Sequence, residues 1–229
     1  MWLDGRSLPY MVERRASVMG QALVSRQWER IIPILDQGQL GGCCPNAGTG
    51  ALGTQPFYDK VGKVALGPRA NSAQDDERFA VHLYSDATKV DPFPGSWPPV
   101  DQGTSGLAVC KVLKSRGTIS GYRWAQSALG FLQLLQAGPV LMGLSWLDAF
   151  FDPDQRGFID SSPHWLTSSI AGGHEVEAVG VDIDATDLSN SVITFCNSWG
   201  SSWSDVGRFR MRLKTYDQLS SVDLKQFTV

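Results

Sequence analysis

The chain has 229 residues, 42% hydrophobic and 19% charged, with a net charge of −3, enough for one domain or two halves sharing a cleft. No apolar run approaches the roughly 18 to 20 residues of a membrane span, and the mixed charges leave no footprint for nucleic acid. The opening "MWLDGRSLPYMVERRASVMG" lacks the basic-then-apolar order of a secretory signal, so a cytoplasmic or assembly-bound location is expected over classical secretion.

Taken in order, "QWERIIPIL" (27–35) reads as an extended segment leading into "DQGQLGGCCPNAGTGAL" (36–52). Pro45 suits the first turn of a helix, where its missing N–H is not needed. Gly48, Gly50 and Gly53 each weaken that helix by roughly 1 kcal/mol against alanine, so tertiary packing with close neighbours must hold it. "SAQDDERFAVHLYSDATKV" (72–90) predicts a short helix, "DPFPGSWPPVDQGTSG" (91–106) a loop, and "GLAVCKVLKSRG" (106–117) a helix with Cys110 on its apolar face. "YRWAQSALGFLQLLQAGP" predicts one further helix, with Trp124, Ala128, Leu129, Leu132 and Leu135 on one side and Gly138-Pro139 as its stop. The period then changes. "PVLMGLSW" (139–146), "HEVEAVGVDI" (174–183), "SVITFCNSW" (191–199) and "GRFRMRL" (207–213) read as strands. The class is α+β, with a site expected between a helical front and a stranded back.

Four cysteines, Cys43, Cys44, Cys110 and Cys196, are too few for a disulfide framework, and no C-x-x-C or H-x-x-x-H pair suggests zinc. No metal or cofactor is expected. The thiols are buried apolar groups or reactive ones. Acyl transfer by a thiol needs a thiolate, a base, a group orienting that base, and donors for the oxyanion. A cysteine at a helix N-terminus beside an imidazolium meets the first need. Of the three histidines, His82 falls in a helix and His164 in a loop, whereas His174 opens a strand after "AGG". Asn197, ending the strand expected to pair with it, can accept the imidazole N–H and fix its tautomer. Trp199 can cover that bond.

With those residues in view, the sequence resembles the papain-like cysteine peptidases. "NSWGSSWSDVGRFRM" looks like that family's asparagine-tryptophan block and "GGHEVEAVGV" like its histidine strand. "DQGQLGGCCPNA" is similar to its glutamine-to-cysteine segment, in a form like that of bacterial and phage members. His174 follows Cys43 by 131 residues and Asn197 follows it by 154, near the family's spacing of roughly 130–150. The resemblance implies a papain-like fold with a β-barrel-like half. It also implies a segment 1–35 crossing to that half, a helical subdomain 36–123 and a β-rich subdomain 124–229. It makes Cys43 the nucleophile, His174 the base, Asn197 its orienting group and Gln37 an oxyanion donor. Gly41, Gly42, Gly173 and Trp199 line or support the cleft, and Cys44 turns into the helix packing.

Leu40 stands where secreted members carry a disulfide cysteine, which agrees with a protein independent of an oxidising compartment. The 42 residues before Cys43 are too few for the long inhibitory propeptide of secreted relatives. The implied substrate is a peptide or protein. A second reading is a papain-fold structural or binding component of a phage particle or surface assembly, with or without activity.

Overall fold

The structure is a computed structural model that describes residues 22–68, 73–219 and 222–229. The opening part of the expected crossing segment, residues 1–21, lies outside them. The fold is α+β. Seven strands form one antiparallel sheet: β1 (Arg26–Gln27), β2 (Gly121–Ala125), β3 (Val140–Leu147), β4 (Ile170–Asp182), β5 (Val192–Cys196), β6 (Arg208–Arg212) and β7 (Val222–Thr228). Their order is β2-β7-β3-β4-β5-β6, with β1 added on β4. Among the described residues the sheet stays open: β2 and β6 are its two ends, so the stranded half is not a closed barrel.

On the other side lie α1 (Cys43–Leu52), α2 (Lys63–Leu66), α3 (Ala73–Val90) and α4 (Gly106–Ser115). The glycine-rich α1 is buried along all but its first residue, and its glycines let neighbours come close. A Cβ on Gly48 would stand 2.8 Å from Val109 of α4, and one on Gly50 would stand 2.6 Å from Glu177 of β4. α3 is longer than the short helix expected: 18 residues, with Ala80, Leu83, Tyr84 and Ala87 turned inward at helical spacing. Ser105 caps α4 by accepting from the Ala108 N–H at 3.2 Å.

One expected helix divides. Residues 121–125 form strand β2, and α5 (Ala128–Leu135) begins only after Ser127, whose hydroxyl accepts from the Gly130 N–H at 3.0 Å. Trp124 therefore lies on a strand, and Leu129 is exposed rather than part of a helical core face. The cause is β7, absent from the sequence reading, which pairs with β2 along Gly121–Ala125 and with β3 along Leu141–Leu144. Ladder bonds there outweigh the helical spacing of the apolar residues.

Two cores result. One gathers Leu52, Leu83, Val109, Leu113 and Phe227 beneath the helices. The other gathers Phe131, Met142, Phe195, Phe209 and Met211 on the far face of the sheet. Strand β4 separates them, so its alternate side chains face different surroundings.

Candidate active site

Cys43 is the first residue of α1, after Gly42 as N-cap, where unpaired backbone N–H groups and the helix dipole favour negative charge. Asn46 steadies this entry by donating its side-chain amide to the Gly42 carbonyl at 2.9 Å. His174 lies near the start of β4, opposite Leu144 of β3, and only 6% of its surface is exposed. Its Nε2 meets Oδ1 of Asn197 at 2.7 Å, which leaves Nδ1 for the Cys43 thiol, its other hydrogen-bond partner. Asn197 follows β5 directly, and its Oδ1 also accepts from the Ser198 N–H at 2.8 Å. The carboxamide is thus held in one orientation.

Aromatic rings close the site from above. Trp199 stacks on the His174 ring with centroids 4.9 Å apart and planes at 25°, and Trp146 meets the same ring edge-on at 5.0 Å. Phe151 stacks in turn on Trp199 at 5.4 Å. These rings keep water from the Nε2–Oδ1 bond without placing a second charge beside the imidazole.

The adjacent thiols are pulled apart electrically. Cys43 is held well below the ordinary thiol range, foremost by its hydrogen bond with Cys44, against burial, and then by the hydrogen bond and charge of His174 and the Glu175 backbone N–H. Cys44 is pushed up by its bond to Cys43, by burial and by the nearby negative charges of Cys43 and Glu175. Its Sγ lies 3.0 Å from the Thr104 carbonyl and 3.7 Å from the Glu175 carboxylate, both acceptors that favour the protonated thiol. For His174, burial acts downward, but the bond and charge of Cys43 outweigh it, with help from Asn197, and the imidazolium is favoured overall. Burial raises the Cys110 and Cys196 thiols. All four cysteines are free.

Gln37 is tied to the Asn197 segment: its backbone N–H donates to the Ser198 carbonyl at 2.9 Å and its Oε1 accepts from Ser198 Oγ at 2.6 Å. Its Nε2 donates to the Leu40 carbonyl at 2.9 Å, using one of two amide hydrogens and leaving one. The cleft over these groups measures about 580 Å³, and Gln37, Gly41, Cys43, Gly173 and His174 all line it. Gly41 presses on the opposite wall, where a Cβ would stand 2.8 Å from Asp101. Gly42 stays beneath as the helix cap, and Gly173 pairs with Ser145 in the β3–β4 ladder. His82 and His164 are exposed and stand apart.

Several neighbours escaped the sequence reading. Trp146 was legible only as an apolar residue of a strand. Glu175 and Glu177 interrupt an otherwise apolar strand, a signal that buried charges seek partners. Both are found. Lys225 lies 3.0 Å from Glu175 and 2.5 Å from Asp223, and Arg30 pairs with Glu177. Glu175 is raised to about 7, burial prevailing over the pull of Lys225. Among the described residues no three or more histidine, cysteine, aspartate or glutamate side chains converge as a metal site, and no helix is long and apolar enough to cross a membrane.

No family model and no curated protein sequence matches the chain. Solved structures do. Xylellain, a cysteine protease from Xylella fastidiosa, aligns over 94% of this chain and 89% of its own at 18% identity, with a TM-score of 0.69. Digestive procathepsin L 3 from Tenebrio molitor larval midgut aligns over 91% of this chain and 71% of its own at 19% identity, with a TM-score of 0.57. A Carica candamarcensis cysteine protease solved with E-64 aligns over 90% of this chain and 98% of its own at 17% identity, with a TM-score of 0.51. The fold is that of the papain-like cysteine proteases.

Proposed function

We propose that the chain is a cysteine peptidase that hydrolyses peptide bonds through a thioester. The observation that carries this reading is that His174, held by Asn197 at 2.7 Å, lines the same cleft as Cys43 and lowers its thiol by hydrogen bonding and charge. A scaffold has no physical need for a thiol with a depressed pKa facing an imidazolium in a cleft.

In the proposed cycle the Cys43 thiolate attacks the substrate carbonyl carbon, and the carbonyl π electrons move to oxygen. The free amide hydrogen of Gln37 and the backbone N–H of Cys43 stabilise that oxyanion. His174 gives its proton to the leaving amine as the C–N bond breaks, which leaves an acyl thioester and a neutral imidazole. Water then loses a proton to His174 and attacks the thioester. Collapse breaks the C–S bond, releases the carboxylic acid, which gives its proton to solvent, and restores the thiolate–imidazolium pair. Asn197 holds the ring throughout, and Trp199 keeps its hydrogen bond dry. Cys44, buried and protonated, takes no chemical step.

The test is site-resolved labelling by iodoacetamide and by E-64 at mildly acidic pH, with adducts located by mass spectrometry. Cys43 is expected to react at least about tenfold faster than the other three thiols. His174→Ala should abolish that advantage, whereas Cys44→Ala, which removes a supporting hydrogen bond but leaves the imidazolium, should reduce it without abolishing it. Equal, slow labelling of all four thiols would end the hydrolase reading.

A further inference from the structure

One acid in the cleft wall has a use that the reaction cycle leaves open. Asp101 and the Cys43–His174 pair are the ionisable groups with charge to offer among the described residues lining the cleft, and no lysine or arginine lies there. Its carboxylate is fixed in place: the Gly41 N–H donates to both oxygens at 3.1 Å, and the Tyr84 hydroxyl donates to Oδ1 at 2.5 Å. Tyr84 is itself held by the Gly103 N–H at 3.0 Å. The neighbouring Asp91 differs, because its Oδ2 is taken by Thr104 Oγ1, the Ser105 N–H and Ser105 Oγ at 2.7–3.0 Å. A carboxylate offers about four lone-pair sites, so Asp101 keeps acceptor capacity toward the exposed side.

Two further observations bear on what it accepts. Gly41 stands two residues before Cys43, so their Cα atoms lie within about 7 Å, and an extended substrate covers such a distance in two or three residues. Phe93 lines the same cleft with 49% of its surface exposed. An aromatic wall with a fixed carboxylate matches a side chain that carries a cation on an aliphatic stem.

We propose that Asp101 reads a cationic side chain of the substrate, so that the cleft favours peptides with lysine or arginine within about three residues of the cleaved bond. The proposal rests on the hydrolase reading for its substrate, but the site can be tested without turnover. Asp101 is exposed, so the preference for lysine over norleucine is modest, at most roughly fivefold.

The experiment measures binding of matched lysine and norleucine peptides to Cys43→Ala, alongside hydrolysis of the same peptides by the unaltered enzyme. Lysine peptides are expected to bind more tightly, and Asp101→Asn, whose amide oxygen still accepts from Gly41, should bring the ratio near one. Tyr84→Phe leaves the charge and should keep the preference. If Asp101→Asn fails to fold, salt supplies the measurement: the preference must collapse near 1 M NaCl, where charges are screened within about 3 Å. Equal binding of the two peptides, or a preference indifferent to both Asp101→Asn and salt, overturns the proposal. Binding preference without hydrolysis supports the cation site and overturns the peptidase reading instead.

Discussion

The two faces of β4 treat ionisable side chains in opposite ways. On one face His174 is enclosed by Trp199 and Trp146 and touched by a neutral carboxamide. On the other, one and three residues further along, Glu175 and Glu177 are each 1% exposed and held by the permanent cations Lys225 and Arg30. In the proposed cycle His174 must gain and lose charge, and a fixed counter-ion against it would bias it to one state. Indoles and an amide orient the ring without doing so. Buried carboxylates that take no part in a cycle need the reverse, because a buried charge without a partner is severely destabilising. A single strand supplies both surroundings because its side chains alternate.

The largest expected effect falls on the neutral face. His174→Ala should lower peptide hydrolysis by about 10⁴-fold or more, measured as kcat/KM, as loss of a triad base does elsewhere. The charged face should answer in stability. Arg30→Met strands Glu177 and should destabilise the fold by about 3–5 kcal/mol in urea unfolding, whereas Arg30→Met with Glu177→Leu should recover most of that loss. Hydrolysis per folded molecule should stay the same in both variants; a large fall would mean that the faces are not independent.

The smallest effect is a slope. Glu175, with its folded pKa at about 7 against an ordinary 4.5, retains in the native state a proton that the unfolded chain has lost. The native state therefore binds more protons between about pH 4.5 and 7, and stability falls as pH rises through that window, by at most about 1.4 kcal/mol per unit. Glu175→Gln should remove this contribution. Comparing the two unfolding profiles over that range checks the sign.

Much of the fold was legible because the pattern is local. Strands β3 to β6 announce themselves by apolar runs and alternation, and three histidines made a short list. The hidden parts depend on distant partners. β7 reads "VDLKQFT", a poor strand on paper, since Lys225 and Gln226 look like surface residues. Both are fully buried, Lys225 against Glu175 and Asp223, and Gln226 through donation to the carbonyls of Leu134 at 2.7 Å and Gly138 at 2.9 Å. Missing β7 meant missing β2, whose ladder it forms, and so extending a helix back through Trp124. Likewise nothing within "GHEVEAVGV" says that the partner of Glu177 lies 147 residues away. Gln37 was singled out only through the family resemblance, and its bond to the Leu40 carbonyl depends on how the loop turns.

The glycine at position 50 lets helix α1 rest directly on the Arg30–Glu177 pair, where no side chain would fit. If the helices peeled from the sheet, those charges would lose their dry cover, and if the sheet frayed first, α1 would lose its floor. Partial opening is penalised from either side, which couples the layers into one cooperative unit. Heat should therefore take the molecule apart in a single calorimetric transition, although Cys43 and His174 come from different layers.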